Sequence, residues 1–503
     1  MKSAWWLIAA ALLLGLCAAQ GVDGATGRGA SIQVDGAADA SGVPAGGTAE
    51  KGSEDAAMPA QASEATTIAL RGVMIFDPAS GAMRGPQDIL IEGSRVSEVG
   101  KVGNVGEADK DGDPGRGMIE IDCSGKYAVA GLFDCHTHLA RLATVSDDSL
   151  RAALAAFPSS GITQVRDVGG PIDVLSCMKQ RIAAGEIAGP EIFCAGPMLE
   201  ASPLTHAGMN EGLPGFTVAV DTPQAVDSIL PDLARQGASI VKTYGKFDRE
   251  VYTHLVEEAA KCSLKVVHDP GEPLFNSIPM DFALDVGVTS IEHAKAPWPV
   301  VLRDDLRREH DSLLVSGDMQ ARMAFMARIA DMDTASVSKE RLRQLCEKMI
   351  ERGAYLCPTL EALMFVEEVA FREVRKQLGV EEIPDVIKDF IRKQIRAMAT
   401  VSRYVVREFG AQGVKMLVGQ DGFEARDTFG EMSLLRECGL SEAEIIKGAT
   451  IYPARWLGVD GRLGSIAPGK EASLLVVAGN PLEDITRLAS SSVVIHKGRI
   501  LLR

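Results

Sequence analysis

From residue 66 onward the chain alternates short apolar runs with longer stretches of helical periodicity. Apolar runs of four to eight residues bounded by turn signals predict strands, and apolar positions three and four apart predict helices. Eight such runs cover residues 128–136, 162–168, 191–198, 239–244, 264–268, 289–293, 354–358 and 414–419. A helical pattern or a long loop follows each, as at 149–157, 221–236 and 248–262. Strands alternating with helices over this length imply a parallel sheet and an α/β fold. Eight units fit a closed (β/α)8 TIM-type barrel. An open doubly wound sheet is the competing arrangement, but no glycine fingerprint for a dinucleotide follows any run.

Both ends read differently. Residues 67–76 and 88–92, with a third run ending at Gly100, are rich in β-formers, and so are 472–478, 492–496 and 499–502 with a Lys497-Gly498 turn. This predicts one accessory β-sandwich domain built from both termini, 66–127 and 459–503, with the barrel at 128–458 inserted between them. Residues 359–409 are far longer than a connection requires, helical in pattern and highly charged. A helical cap over about 360–409 is expected there, either solvated or acting as a lid.

The first residues change the picture of location. Met1-Lys2-Ser3 precedes an apolar run over 4–16 and then Cys17-Ala18-Ala19. That run is short for a membrane span and suits a signal peptide over 1–19, with export to a periplasm or the medium. The competing reading is an uncleaved membrane anchor. Leu14-Gly15-Leu16-Cys17 resembles a lipoprotein box apart from Leu16, which adds a lipid anchor through Cys17 to the expectations. Residues 20–65 are rich in Gly, Ala, Ser and Asp and read as a flexible linker.

Composition narrows the partners. Apolar residues make up 46% and charged residues 24% of 503 residues, ordinary globular values. Lys plus Arg is 52 against 68 Asp plus Glu, a net charge of −16, which excludes general nucleic-acid binding. The nine cysteines include no CxxC pair, so buried small apolar residues are preferred to a disulfide framework or a cysteine metal site.

Histidine is scarce, and its placement carries the chemistry. The first run ends Asp134-Cys135-His136-Thr137-His138, and strand alternation lets His136 and His138 point together. The other run ends hold Lys242, then His268, then Glu292-His293, then Gln420-Asp421. Four of the eight histidines thus stand at strand ends beside one Lys and one Asp. Imidazole and carboxylate at the C-terminal end of barrel strands suit zinc and similar metals.

These residues resemble the amidohydrolase superfamily of metal-dependent hydrolases, nearest to its Xaa-Pro dipeptidase (prolidase-like) and imidazolonepropionase-related group. The resemblance runs through Gly161-Ile162-Thr163-Gln164-Val165-Arg166-Asp167-Val168-Gly169, Ile291-Glu292-His293, Ala449-Thr450 and Gly464-Ser465-Ile466-Ala467-Pro468-Gly469-Lys470 to Gly479-Asn480-Pro481-Leu482. Gln420 stands where the family usually has Thr, and Ser473 where it usually has Asp.

The resemblance implies His136, His138 and Asp421 as ligands of one metal, His268 and His293 as ligands of a second, and Lys242 as a carboxylated bridge. The cofactor implied is Zn2+, two per chain, with other divalent metals as alternatives. It also implies hydrolysis of an amide or other C–N bond by metal-activated hydroxide, with Asp421 as general acid and base. The substrate would be a dipeptide such as Xaa-Pro, an N-acyl amino acid or a cyclic amide.

His206 and Tyr244 are candidate substrate-binding residues, each weighed against a structural role. Arg166-Asp167 is expected to form an ion pair bracing the barrel. His254, His310 and His496 are expected to be structural. A lactonase or esterase on the same site and a catalytically silent metal-binding scaffold are the alternatives. Relatives commonly assemble, so a homo-oligomer is also expected.

Overall fold

The computed structural model describes residues 67–101, 118–271 and 277–502. The signal peptide, the lipoprotein box and the linker lie outside the described residues.

Strands from the two ends share one sheet. It runs Arg499–Leu502, Ser491–His496, Leu474–Val477, Tyr127–Ala130, Thr67–Asp77, Ala82–Glu92, Arg95–Lys101, with Ile119–Asp122 paired to Thr67–Asp77. Leu70, Val73, Ile89, Leu474 and Val476 fill a core of its own.

The run at 128–136 divides between two sheets. Tyr127–Ala130 pairs antiparallel with Leu474–Val477, whereas Leu132–Thr137 pairs parallel with Ile162–Asp167. The break falls at Gly131, where a Cβ would lie 1.9 Å from Thr163 Oγ1, so only glycine lets the chain pass there. The run at 191–198 likewise resolves into Glu191–Cys194 and Met198–Glu200.

All remaining strands are parallel. Three of them, Leu132–Thr137, Ile162–Asp167 and Glu191–Cys194, form one sheet. Seven form another, in the order Thr217–Ala219, Met198–Glu200, Ile240–Tyr244, Lys265–Asp269, Ser290–Glu292, Tyr355–Cys357 and Lys415–Met416. Backbone hydrogen bonds join the two sheets on both sides. Ser239 N–H donates to Cys194 O (2.8 Å), Cys135 N–H to Val418 O (2.7 Å) and Asp421 N–H to His136 O (2.8 Å). Phe133, Phe193, Ile240, Val267, Tyr355 and Leu417 meet in a shared apolar cluster, which packs six of the parallel segments against one another.

The helices begin where capping chemistry predicts. Ser146, Thr222, Asp248, Ser338 and Ser441 each accept a backbone N–H of the first turn that follows. After Tyr355–Cys357 stand the helices Val366–Leu378 and Asp385–Ala411, the second running past 409, packed through Ala370, Val374, Ile387 and Ile391. A second helical group, Trp298–Val301, Asp304–Ser316, Met319–Met332 and Lys339–Glu351, lies between Ser290–Glu292 and Tyr355–Cys357. Met323 of that group packs against the core of the first. Among the described residues no helix is long and apolar enough to cross a membrane, and no disulfide forms. Six of the eight described cysteines are buried, Cys262 is half-buried and Cys177 is exposed.

Candidate metal centre

His136, His138, His293 and Asp421 converge. Nε2 of His136 and Nε2 of His138 lie 3.3 and 3.2 Å from Asp421 Oδ1, and the His136 and His293 ring centroids are 4.8 Å apart. One donor atom from each of His136, His293 and Asp421 falls within 4.8 Å of the other two.

In each ring the outer nitrogen is already engaged. His136 Nδ1 meets Glu292 Oε2 at 2.7 Å, His138 Nδ1 meets Gly169 O at 3.1 Å, and His293 Nδ1 meets Thr359 Oγ1 at 2.7 Å. A histidine whose Nδ1 is held this way presents Nε2 with a fixed orientation, as metal-ligating imidazoles do.

The backbone is strained at the same place. His293, Thr359 and Asp421 have φ of 69°, 51° and 65°, three of the six described non-glycine residues with positive φ. Such conformations persist where surrounding structure enforces them, and they concentrate at functional sites.

The charges fit a metal. Both carboxylate oxygens of Asp421 are buried without a hydrogen-bond partner among the described residues, which is costly for an anion unless a cation faces it. Burial works to raise its pKa, but the imidazoles of His136, His138 and His293 hold the carboxyl well below its usual range. Burial also lowers the pKa of His138 and His293 and prevails at both, which favours the neutral form that a metal ligand requires. At His136 burial acts downward too, but the Asp421 charge wins and the value rises.

Lys242 is buried, with Nζ 3.5 Å from Asp269 Oδ2. The same oxygen lies 2.8 Å from His293 Nε2. Asp269 is held far below the usual carboxylate range: burial opposes this, and His293 and Lys242 outweigh it.

His268 is not brought into this group, and that expectation is corrected. Its Nδ1 lies 2.9 Å from Tyr252 Oη and 3.1 Å from Thr243 Oγ1, and its Nε2 lies 3.0 Å from Ile278 O. The strand register explains the turn. Lys242 stands opposite Val267, Thr243 opposite His268 and Tyr244 opposite Asp269. Val267 and Asp269 therefore share the face of Lys242, while His268 faces the helix Arg249–Lys261. Burial pushes the His268 pKa down to about 4. Asp269 escaped the sequence reading because its strand is buried on both sides from Val266 onward, leaving no polar alternation to mark the inner face.

Arg166 forms its ion pair with Glu292 rather than with Asp167. Nη2 lies 2.8 and 2.9 Å from the two Glu292 oxygens, Nη1 donates to Ser290 Oγ (2.8 Å) and Nε donates to Cys135 O. Asp167 accepts the N–H groups of Leu139 and Gly169, and burial pushes its pKa up to about 7. The two departures from the family pattern also have local roles. Gln420 Nε2 donates to buried Asp134 (2.8 Å), which also accepts from Thr428 Oγ1 (2.6 Å). Ser473 Oγ donates to Glu471 (2.7 Å) and accepts from Lys497 N–H (3.1 Å).

His206 and Tyr244 are neighbours, with centroids 4.4 Å apart and rings edge to face. His206 Nδ1 meets Glu200 Oε1 at 2.7 Å, and its buried Nε2 has no partner among the described residues. His254 meets Asp227 (2.7 Å), His310 packs between Trp298 and Phe325, and His496 meets Ser473.

Residues 340–501 match the model of the amidohydrolase family. Over 118 residues it is 34% identical to an imidazolonepropionase of Rubrobacter xylanophilus, covering 21% of this chain and 26% of that protein. Over 39 residues it is 54% identical to an N-acetylgalactosamine-6-phosphate deacetylase of Escherichia coli O157:H7, covering 8% and 10%. The chain thus spans about a quarter or less of these curated relatives.

Solved structures resemble it over more of its length. A Xaa-Pro dipeptidase with bound methionine in its active site has a TM-score of 0.61 at 22% identity, covering 86% of this chain and 99% of that one. An A. niger ochratoxinase has a TM-score of 0.62 at 17% identity, covering 88% and 96%. These likenesses show a TIM-barrel-type α/β fold.

Proposed function

We propose that this chain is an exported, metal-dependent hydrolase of C–N bonds that works with two divalent ions, zinc by preference. The observation that carries the proposal is the pair of orphaned Asp421 oxygens faced by oriented imidazoles. His136, His138 and Asp421 are assigned to one ion. His293 and Asp269 are assigned to the other, with Lys242 carboxylated by carbon dioxide as the anionic bridge. Export rests on the sequence of residues 1–19. The parallel strands are read as a closed (β/α)8 barrel over 128–458, supported by the hydrogen bonds that join the two parallel sheets. The sheet shared by the two ends is read as an accessory sandwich.

When bound, the ions polarise the scissile carbonyl and acidify the attacking water near neutral pH. Asp421 takes the proton from that water on a carboxylate oxygen and returns it to the leaving nitrogen. Glu292 and Arg166 hold the His136 ring in place. His206 Nε2 accepts from an N–H or O–H of the substrate, and the Tyr244 hydroxyl donates to its carboxylate or carbonyl, an assignment supported by the unpartnered Nε2 and the packed rings. The substrate class is a dipeptide such as Xaa-Pro, an N-acyl amino acid or a cyclic amide.

The test is a library of dipeptides, N-acyl amino acids and cyclic amides offered to the zinc-loaded protein. Hydrolysis of one class is expected. A flat response over the library, with both ions bound, contradicts the reading and favours the silent scaffold.

Glu200 fixes which His206 nitrogen carries its proton. Glu200→Gln is expected to raise KM roughly 10–100-fold, the loss of one hydrogen bond to a charged group, with kcat and metal content little changed. Steady-state kinetics with metal analysis checks this, and an unchanged KM removes His206 from the substrate site.

A further inference from the structure

Beside the metal centre lies a small pocket. His293 and Asp421 form one side of it. Opposite stand Leu363 of the turn Glu361–Met364, Val366 at the start of the helix Val366–Leu378, and Met398 of the helix Asp385–Ala411. Ala362 and Pro358 extend this apolar wall, and Thr359 and Ser402 add two hydroxyl groups to the lining. Val366, Leu363 and Met398 also pack on one another, so the wall is a continuous surface rather than scattered contacts. The residues that form it come from the cap insertion after Tyr355–Cys357, not from the strands that carry the metal ligands.

The position decides what can enter. A group in this pocket touches His293 and Asp421 on one side, so it must be attached close to the bond being cleaved. An apolar wall offers a charged or strongly polar group no replacement for its lost water. Lys295 lines the same pocket and adds a positive charge, which disfavours a basic side chain.

Resting on the metal-hydrolase reading, we infer that this pocket is the side-chain subsite. It selects substrates whose group beside the scissile bond is an uncharged aliphatic or thioether chain. Specificity therefore resides in the helical cap, and the metal centre alone does not impose it.

Two experiments on the full-length zinc-loaded chain test this. In the first, a dipeptide and N-acyl amino acid series runs from Gly through Ala and Val to Leu and Met at the residue beside the scissile bond, with Lys as a control. Wild-type kcat/KM is expected to rise about fourfold per buried methylene, with Lys disfavoured. Met398→Trp fills the pocket and is expected to flatten the series, lowering the Leu and Met rates by about tenfold or more relative to the Gly rate of the same variant. Met398→Ala widens it and is expected to shift the optimum towards larger side chains. Equal effects of both variants on every substrate, or a wild-type preference for Gly or Lys, overturn the inference.

The second experiment needs no turnover. Straight-chain carboxylates from acetate to hexanoate are titrated calorimetrically into wild type and Met398→Trp. Affinity rising with chain length in wild type and flat in the variant supports the subsite. A flat wild-type series overturns it. Rising affinity without hydrolysis of any substrate leaves the subsite standing and removes the proposed activity instead.

Discussion

Asp421→Asn is expected to lower kcat on the preferred amide by about 10³-fold or more while leaving the fold intact. Asparagine keeps the shape of the side chain and tolerates the positive φ of 65° at this position better than most residues. It cannot accept and return a proton, and general acid–base catalysis is worth about 10²–10⁴-fold. The amide is also a poorer ligand than the carboxylate that His136 and His138 now face at 3.3 and 3.2 Å. Single-turnover kinetics on the zinc-loaded variant, with near-UV circular dichroism as the folding control, separates these effects. A folded variant that retains more than about a tenth of the wild-type rate removes Asp421 from the proton path.

Arg166→Met is expected to destabilise the chain by about 3–5 kcal/mol, because removing one partner of a buried ion pair leaves the other charge uncompensated. Glu292 is fully buried, and its two oxygens are shared among Arg166, Ser290 and His136. Burial acts to raise its pKa, but the Arg166 charge and then His136 hold it well below the glutamate range. Without Arg166 the carboxyl must either stay charged in an apolar interior or take up a proton.

Protonation weakens its hold on His136 Nδ1, so metal affinity should fall about 10–100-fold as well. The double variant Arg166→Met with Glu292→Gln should recover part of the stability but not the metal affinity. Guanidinium unfolding curves and competition with a chelator read the two quantities. Equal losses of stability in the single and double variants would show that the effect is packing against Trp456, whose ring lies 5.1 Å from the Arg166 guanidinium, and not charge.

Much of the parallel-strand core was legible because its strands are uninterrupted apolar runs closed by one polar residue. His136, His138, Lys242, His293 and Asp421 stand at those closures, and the structure gathers them. What stayed hidden depends on which way a strand faces. In Lys265–Asp269 four of the five residues are buried, so the pattern cannot tell His268 from Asp269, and only the pairing with Ile240–Tyr244 does.

Glu292 was visible as part of Ile291-Glu292-His293, but its partners lie 156 and 126 positions away in His136 and Arg166. No local spacing reports such contacts. Gly131 was read through as part of one strand, because a glycine in an apolar run gives no sign that the chain changes sheets there. The helices over 298–351 carry the same amphipathic pattern as crossover helices. Their association with the second insertion emerges only from Met323 packing against its core.

The most direct measurement is anomalous diffraction at the zinc edge on crystals of the zinc-loaded full-length chain, paired with elemental analysis of the same sample. Two zinc peaks per chain are expected, one within bonding distance of His136, His138 and Asp421 and one of His293 and Asp269, with His268 still bonded to Tyr252. Absence of zinc between these side chains, or a second zinc held by His268 with Asp269 turned away, would contradict the metal centre described above.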